Sequence, residues 1–184
     1  MPSFRFVGYA IVSADGMLAA ADGIMPPSLK IDADARFFEH GLSDCDLVVH
    51  GRNSHEHQPQ SAHRKRLILT RRVDRPIADP NDAKVTLWNP ARAPFEDAAA
   101  SAGVRQGKVC PIGGTTVFDM FLDRYDTFFL SEAPDVRLPG GIPVFSGVPQ
   151  TSPQDILRRH GLVPQAPQVL DAEKNVSMVA WRRL

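Results

Sequence analysis

Cysteine is scarce in this chain, and an excess of either charge sign is absent. Only Cys45 and Cys110 are present, far apart and in no C-x-x-C spacing, so neither a zinc ribbon nor a thioredoxin-like centre is encoded. The expectation for both is a buried free thiol in a reducing compartment. Lys and Arg number 21 and so do Asp and Glu, a balance that excludes a broad basic surface for nucleic acid. No apolar run approaches the roughly 20 residues of a membrane span. Near the N-terminus, Asp15 interrupts the apolar run that follows Arg5 before a signal-peptide core forms, so a cytoplasmic location is expected. Neither G-x-G-x-x-G nor G-K-[ST] nor G-x-S-x-G occurs, which removes the usual fingerprints of a Rossmann turn, a P-loop and a hydrolase elbow.

What is present has the composition of an ordinary soluble domain, 43% hydrophobic and 23% charged over 184 residues. That length suits one well-buried core and a single domain spanning 1–184. Phe4 to Val12 is aromatic and β-branched and predicts a first strand, which Ser13-Ala14-Asp15-Gly16 breaks with turn chemistry. A long irregular segment follows through Met25-Pro26-Pro27. Asp32 is placed to cap a helix from Ala33 to His40 that turns Phe37 and Phe38 inward. Further strands are expected at Asp46 to His50, Arg66 to Thr70, Lys84 to Trp88, Val109 to Ile112 and Thr127 to Leu130. Helices are expected at Ala91 to Ala102, Thr115 to Leu122 and Ser152 to His160. Gln168 to Leu170 and Val176 to Trp181 predict a closing hairpin. Strands alternating with helices imply an α/β fold with a mostly parallel sheet, and the hairpin adds an antiparallel edge.

The chemistry gathers at strand ends. Lys108 to Leu122, KVCPIGGTTVFDMFL, runs from a buried strand through a glycine pair into a helix. Such a turn lets backbone approach an anion closely, although Gly-Gly before a helix is also an ordinary tight turn. Gly51-Arg52-Asn53-Ser54-His55-Glu56 follows another strand where a helix is due to start, and Thr70-Arg71-Arg72 follows a third. Carboxyl ends of strands line the ligand crevice of open α/β sheets, so three such loops point to a dinucleotide phosphate site. Arginine offers phosphate a planar fork of donors; the competing reading of Arg71 and Arg72 is solvated surface charge. They belong to a stretch rich in cations, with Arg64, Lys65, Arg66 and Arg75. His50, His55, His57 and His63 lack the carboxylate or thiol partners of a metal site and are expected at the surface.

In this order, Ser13-x-Asp15-Gly16, Gly51-Arg52-x-Ser54-x-Glu56, Leu69-Thr70-Arg71 and Ile112-Gly113-Gly114 with Val117-Phe118 resemble the dihydrofolate reductase-like superfamily. The resemblance covers nearly the whole chain. Ser13 to Gly16 and Asp46 to Arg52 are most similar to its RibD C-terminal group, the reductase domain of bacterial riboflavin biosynthesis. It implies a three-layer α/β/α fold and an NADPH-dependent oxidoreductase. Gly51, Arg52, Asn53 and Ser54 would contact the cofactor's phosphates, and Leu69, Thr70, Arg71 and Arg72 would sit near the adenosine 2′-phosphate. Ile112, Gly113, Gly114, Thr115, Thr116 and Val117 would cover the pyrophosphate or nicotinamide side, with Ala10 flanking the ring. Ile11, Asp15, Phe38 and Phe118 would border the substrate.

Dihydrofolate reductases place one pocket carboxylate at the start of the first helix, and Asp32 and Asp34 both compete for that catalytic position. Asp32 also answers as a plain N-cap. Asp34 falls among apolar neighbours that would raise its pKa for acid–base work, or it serves only as a helix-dipole partner. Two departures separate the chain from dihydrofolate reductases themselves: Pro27 rather than tryptophan follows Met25-Pro26, and Phe118 stands where tyrosine is common. The resemblance therefore implies a riboflavin-pathway aminopyrimidine, such as 5-amino-6-(5-phosphoribosylamino)uracil, or a pterin-like compound as substrate. Dihydrofolate is the alternative, and a non-catalytic NADPH-binding protein is the alternative of another class. A homodimer is implied by the RibD-like resemblance alone.

Overall fold

The computed structural model describes residues 3–53 and 60–184. Ser54, His55, Glu56 and His57 lie outside the described residues, so the expected phosphate contact of Ser54 does too.

The strands in chain order are β1 (Phe4–Ser13), β2 (Met17–Ala19), β3 (Leu47–Gly51), β4 (Arg66–Leu69), β5 (Ile77–Asp79) and β6 (Asp82–Trp88). They continue as β7 (Gly107–Gly113), β8 (Tyr125–Ala133), β9 (Ile142–Pro143), β10 (Leu162–Pro164), β11 (Gln168–Asp171) and β12 (Val176–Arg183). The α-helices are α1 (Asp32–Leu42), α2 (Phe95–Ser101), α3 (Thr115–Met120) and α4 (Pro153–Arg159). The main sheet runs β10-β12-β8-β1-β7-β3-β4-β6-β5, with β11 paired to β12. From β8 across to β6 every pairing is parallel, while β12, β10, β11 and β5 are antiparallel. This is a mixed, mostly parallel sheet with an antiparallel C-terminal hairpin.

Alternation along each strand divides the core. Phe6, Val12, Leu47, Val49, Val109, Phe128 and Leu130 face α2, α3 and α4, where they meet Phe95, Phe118, Phe121 and Leu157. Val7, Tyr9, Val48 and Cys110 face the other way, under Leu42, Phe37 and Phe38 of α1. The layers are therefore helix, sheet and helix. Each fully buried side chain among these contributes about 1.5–3 kcal/mol of transfer free energy, and the half-buried Phe37 and Phe38 less. Tyr9 is the hub of the α1 layer, its ring 5.7 Å from Phe38 and 5.1 Å from Phe129. Gly41 on α1 is dictated by that packing, because a Cβ there would overlap the Tyr9 phenol.

Several elements differ from the sequence reading. The alanine-rich helix begins only at Phe95, because Arg92 and Ala93 hydrogen-bond back to the Asn89 carbonyl and Pro94 takes the N-cap. Asp32 is the first helical residue rather than the cap; Ile31 holds that place, with no side-chain cap bond. At α4, by contrast, Ser152 caps, its hydroxyl accepting from Asp155 N at 3.1 Å. β2 and β9 pair with one another in a small separate sheet that the sequence reading did not anticipate. His50 is buried on β3 at 2% exposure, not at the surface, with Nδ1 2.9 Å from the Gly51 carbonyl. Cys110 is buried and Cys45 half-buried, both as free thiols.

Candidate functional site

Strand register builds the site. Gly113 of β7 lies opposite His50 of β3, Gly51 opposite Leu69 of β4, and Leu69 opposite Trp88 of β6. Four neighbouring parallel strands thus stop at one level, and the residues just beyond them, Gly114, Arg52, Thr70 and Asn89, emerge side by side. Together they line a groove of about 930 Å³ with Asn53, Leu69, Arg71, Arg72, Pro90, Ala91, Arg92, Thr115, Thr116, Val117 and Met120. The guanidinium groups of Arg52, Arg71, Arg72 and Arg92 make the groove strongly cationic, and all four residues are exposed. This donor set fits a phosphate-bearing ligand, since a planar fork of N–H groups matches phosphate oxygens.

Of the glycine pair, Gly114 lines the groove wall at its α3 end, while Gly113 is buried and does not line it. Gly113 has φ +112°, a conformation L side chains rarely adopt, and the Gly113–Gly114 peptide is cis. A Cβ on Gly113 would lie 3.1 Å from the Phe118 ring. Thr115 extends the wall into the neighbouring loop, its hydroxyl donating to the Pro143 carbonyl at 2.6 Å. On the facing wall, Thr70 N donates to the Trp88 carbonyl at 2.9 Å, and Thr70 Oγ1 accepts from Arg72 N at 3.2 Å. Both threonine hydroxyls therefore have local partners.

Asn89, Pro90, Ala91, Arg92 and Met120 belong to the groove but were missing from the sequence reading. The signal for the first four was available: Trp88-Asn89-Pro90 ends a parallel strand, so the strand-end rule applied to the other three loops reaches it as well. Asn89 is buried, and its side chain ties the two loops together. Nδ2 donates to the carbonyls of Val73 and Arg71 at 3.1 and 3.5 Å, and Oδ1 accepts from Ala91 N at 3.1 Å.

A second cluster forms around β1 and β8 on the α1 face. Asp34, Phe38 and Leu42 recur at intervals of four and so share one helical stripe. Leu42 is buried, Asp34 and Phe38 half-buried, and Asp32 exposed. Burial pushes the Asp34 carboxyl above the ordinary aspartate value of 3.8, against the opposing effect of a hydrogen bond with Ser131. Ser131 is itself buried on β8, opposite Ile11 of β1.

Other sequence candidates have different surroundings. Ile11 is buried with Leu29, Ile31, Ala133 and Val176. Ala10 and Leu69 pack against the larger core and Ile112 against the α1 layer. Phe118 does not face a ligand directly: it is 1% exposed, with its ring against Phe128 and Phe145. Nor is Asp15 a free carboxylate. It accepts from the Ser13 hydroxyl at 2.6 Å and from Leu138 N at 3.0 and 3.1 Å. Burial alone would raise its pKa, but those donors prevail and hold it below the usual range.

Among the described residues, no group of three or more His, Cys, Asp or Glu is arranged to hold a metal, and no helix is long and apolar enough to cross a membrane. No protein-family model matches the chain, and no curated protein matches its sequence. Solved structures do match. A protein assigned to riboflavin biosynthesis from Shewanella sp. PV-4 superposes with a TM-score of 0.64 at 18% identity, covering 98% of this chain and 99% of that one. Dihydrofolate reductase from Enterococcus faecalis, complexed with NADP(H) and RAB-propyl, superposes with a TM-score of 0.61 at 15% identity, covering 97% and 96%. The chain has the dihydrofolate reductase-like fold.

Proposed function

We propose that the protein is an NADPH-dependent reductase acting on a flat heterocycle, with a riboflavin-pathway aminopyrimidine as the leading substrate class. The reading rests above all on the groove at the carboxyl ends of β3, β4, β6 and β7, where four arginines and Gly114 meet. The two similar folds add support, one from a protein assigned to riboflavin biosynthesis and one from a reductase complexed with NADP(H).

When bound, the nicotinamide would supply a hydride from its C4 to a C=N or C=O bond of the substrate. The chain's own residues bind, orient and protonate. Arg71 and Arg72 would hold a 2′-phosphate, and Arg52 and the backbone around Gly114 the phosphates between the two nucleosides. Asp34 would supply the proton that balances the hydride, because burial raises its pKa and keeps a larger fraction of it protonated. Ser131, hydrogen-bonded to that carboxyl, would orient it. Placing two rings in contact out of water is the protein's main contribution.

The test is binding and turnover together. The protein should bind NADPH more tightly than NADH and oxidise it in the presence of a ribosylaminopyrimidine. Arg71→Ala combined with Arg72→Ala should weaken NADPH by about 10²- to 10⁴-fold, since the two charge-assisted bonds contribute about 1.5–3 kcal/mol each, and leave NADH little changed. An unaltered NADPH-to-NADH ratio in that variant removes the 2′-phosphate assignment. NADPH that binds but is never consumed, with aminopyrimidines or dihydrofolate alike, removes the reductase.

A further inference from the structure

Three residues lining the groove are buried, Thr70, Asn89 and Val117, and Asn89, at 7% exposure, is the one of them that carries an amide. Its amide is committed to three backbone groups on two segments: the Arg71 and Val73 carbonyls on one side and Ala91 N on the other. Two carbonyls require donors and one N–H requires an acceptor, which fixes the orientation of the amide and suits the type of side chain. Serine could still accept from Ala91 N but cannot span to Val73. Aspartate would set a carboxylate against two carbonyls. The Asn89 main-chain carbonyl accepts from Arg92 N and Ala93 N at 3.0 and 3.2 Å, so the segment bearing Arg92 is anchored at the same residue.

We propose that Asn89 is a positioning residue that fixes the Arg71–Arg72 turn and thereby sets the preference of the groove for a dinucleotide carrying a 2′-phosphate. The inference rests on the NADPH reading above. Apart from the Asn89 bonds, the turn is closed by Thr70 N on the Trp88 carbonyl and by Arg72 N on Thr70 Oγ1. Those two contacts hold its start. Among the described residues, the Asn89 amide is the side chain that hydrogen-bonds its far side at Val73, and the next residue, Asp74, meets Arg92 in an exposed ion pair at 3.7 Å. Arginine side chains are long and lose rotamer freedom on gripping an anion, so a fixed main chain beneath them reduces what binding must order. Loss of the amide therefore weakens the grip on the 2′-phosphate rather than the whole groove.

The experiment compares wild type, Asn89→Ser and Asn89→Gln by titration with NADPH and with NADH, alongside the thermal midpoint of each. Asn89→Ser should weaken NADPH by about 5- to 10-fold, the equivalent of about one net hydrogen bond, and change NADH by less than about two-fold. Asn89→Gln retains the amide one methylene further out and should fall between the two, which keeps the proposal testable if the serine variant does not fold. Amide exchange at residues 70–73 should quicken in the variants without ligand. Equal weakening of both dinucleotides, or an unchanged ratio, overturns the positioning role while leaving the NADPH reading intact. A wild type that does not prefer NADPH overturns the reading itself and this inference with it.

Discussion

Asp34 sits one turn before Phe38 and two before Leu42, on the stripe of α1 that faces the sheet, whereas Asp32 is exposed at the helix start. Burial raises the Asp34 pKa above 3.8, so the folded chain binds that proton more tightly than the unfolded one. Stability attributable to Asp34 is therefore greatest in acid, falls as pH rises from the unfolded value through the raised folded value, and is constant beyond. Asparagine in its place would retain the shape without the charge. Asp34→Asn should unfold at a higher temperature than wild type at neutral pH, with the advantage vanishing in acid, as thermal melts across pH would record. Its turnover should fall by about 10²-fold or more, the usual worth of a positioned general acid, and the wild-type rate should decline as pH rises through the raised pKa. Asp32→Asn should cost only about 0.3–1 kcal/mol of helix-dipole stabilisation and leave turnover intact. Full activity in Asp34→Asn would remove its catalytic assignment. The sequence reading left the two aspartates in competition, although the i, i+4, i+8 spacing with Phe38 and Leu42 puts Asp34, not Asp32, on the half-buried stripe. The commitment of Asp15 was not legible, because Leu138 N, its main-chain partner, lies 123 residues away.

Between β1, β8 and α3, a run of aromatic contacts links the sheet to the glycine pair. Gly8 on β1 lies opposite Phe128 on β8, whose ring covers it; a Cβ there would overlap that ring and approach Tyr125. Phe128 meets Phe118 of α3 at 5.5 Å between centroids, and the Phe118 ring supports Gly113 from below. Gly8→Ala should therefore destabilise the fold by about 1–3 kcal/mol, the range for overpacking, read from denaturant midpoints. Displacement of Phe128 should also weaken NADPH binding at the distant groove. A loss of stability with undiminished affinity would show that the run carries packing and nothing else. The parallel strands of the centre were legible because each is a short apolar run bounded by turn residues. β2, β9, β5 and β10 were not, since two or three residues carry no periodicity and their pairing depends on partners distant in sequence.

Across the whole molecule, the groove joins loops that are separate in sequence, at residues 51–53, 69–72, 89–92 and 114–117. Each loop by itself is an ambiguous turn; register alone brings them to one level, and that is why the sequence indicated three walls of the site but not the fourth. A ligand spanning these loops binds only the folded chain, so its binding free energy adds to stability. At a free NADPH concentration of about 100 times its Kd the gain is about 2.7 kcal/mol. For a chain of this size that raises the melting temperature by about 5–10 °C. Amide exchange should slow together in all four loops, while the β11–β12 hairpin, on the far side of β8 from the groove, remains unchanged. NADH at the same multiple of its own Kd should give the same thermal shift, because the gain depends only on saturation, but it should protect 70–73 less, having no 2′-phosphate for Arg71 and Arg72. Equal protection of 70–73 by the two dinucleotides would separate the arginine turn from cofactor choice and place discrimination elsewhere in the groove.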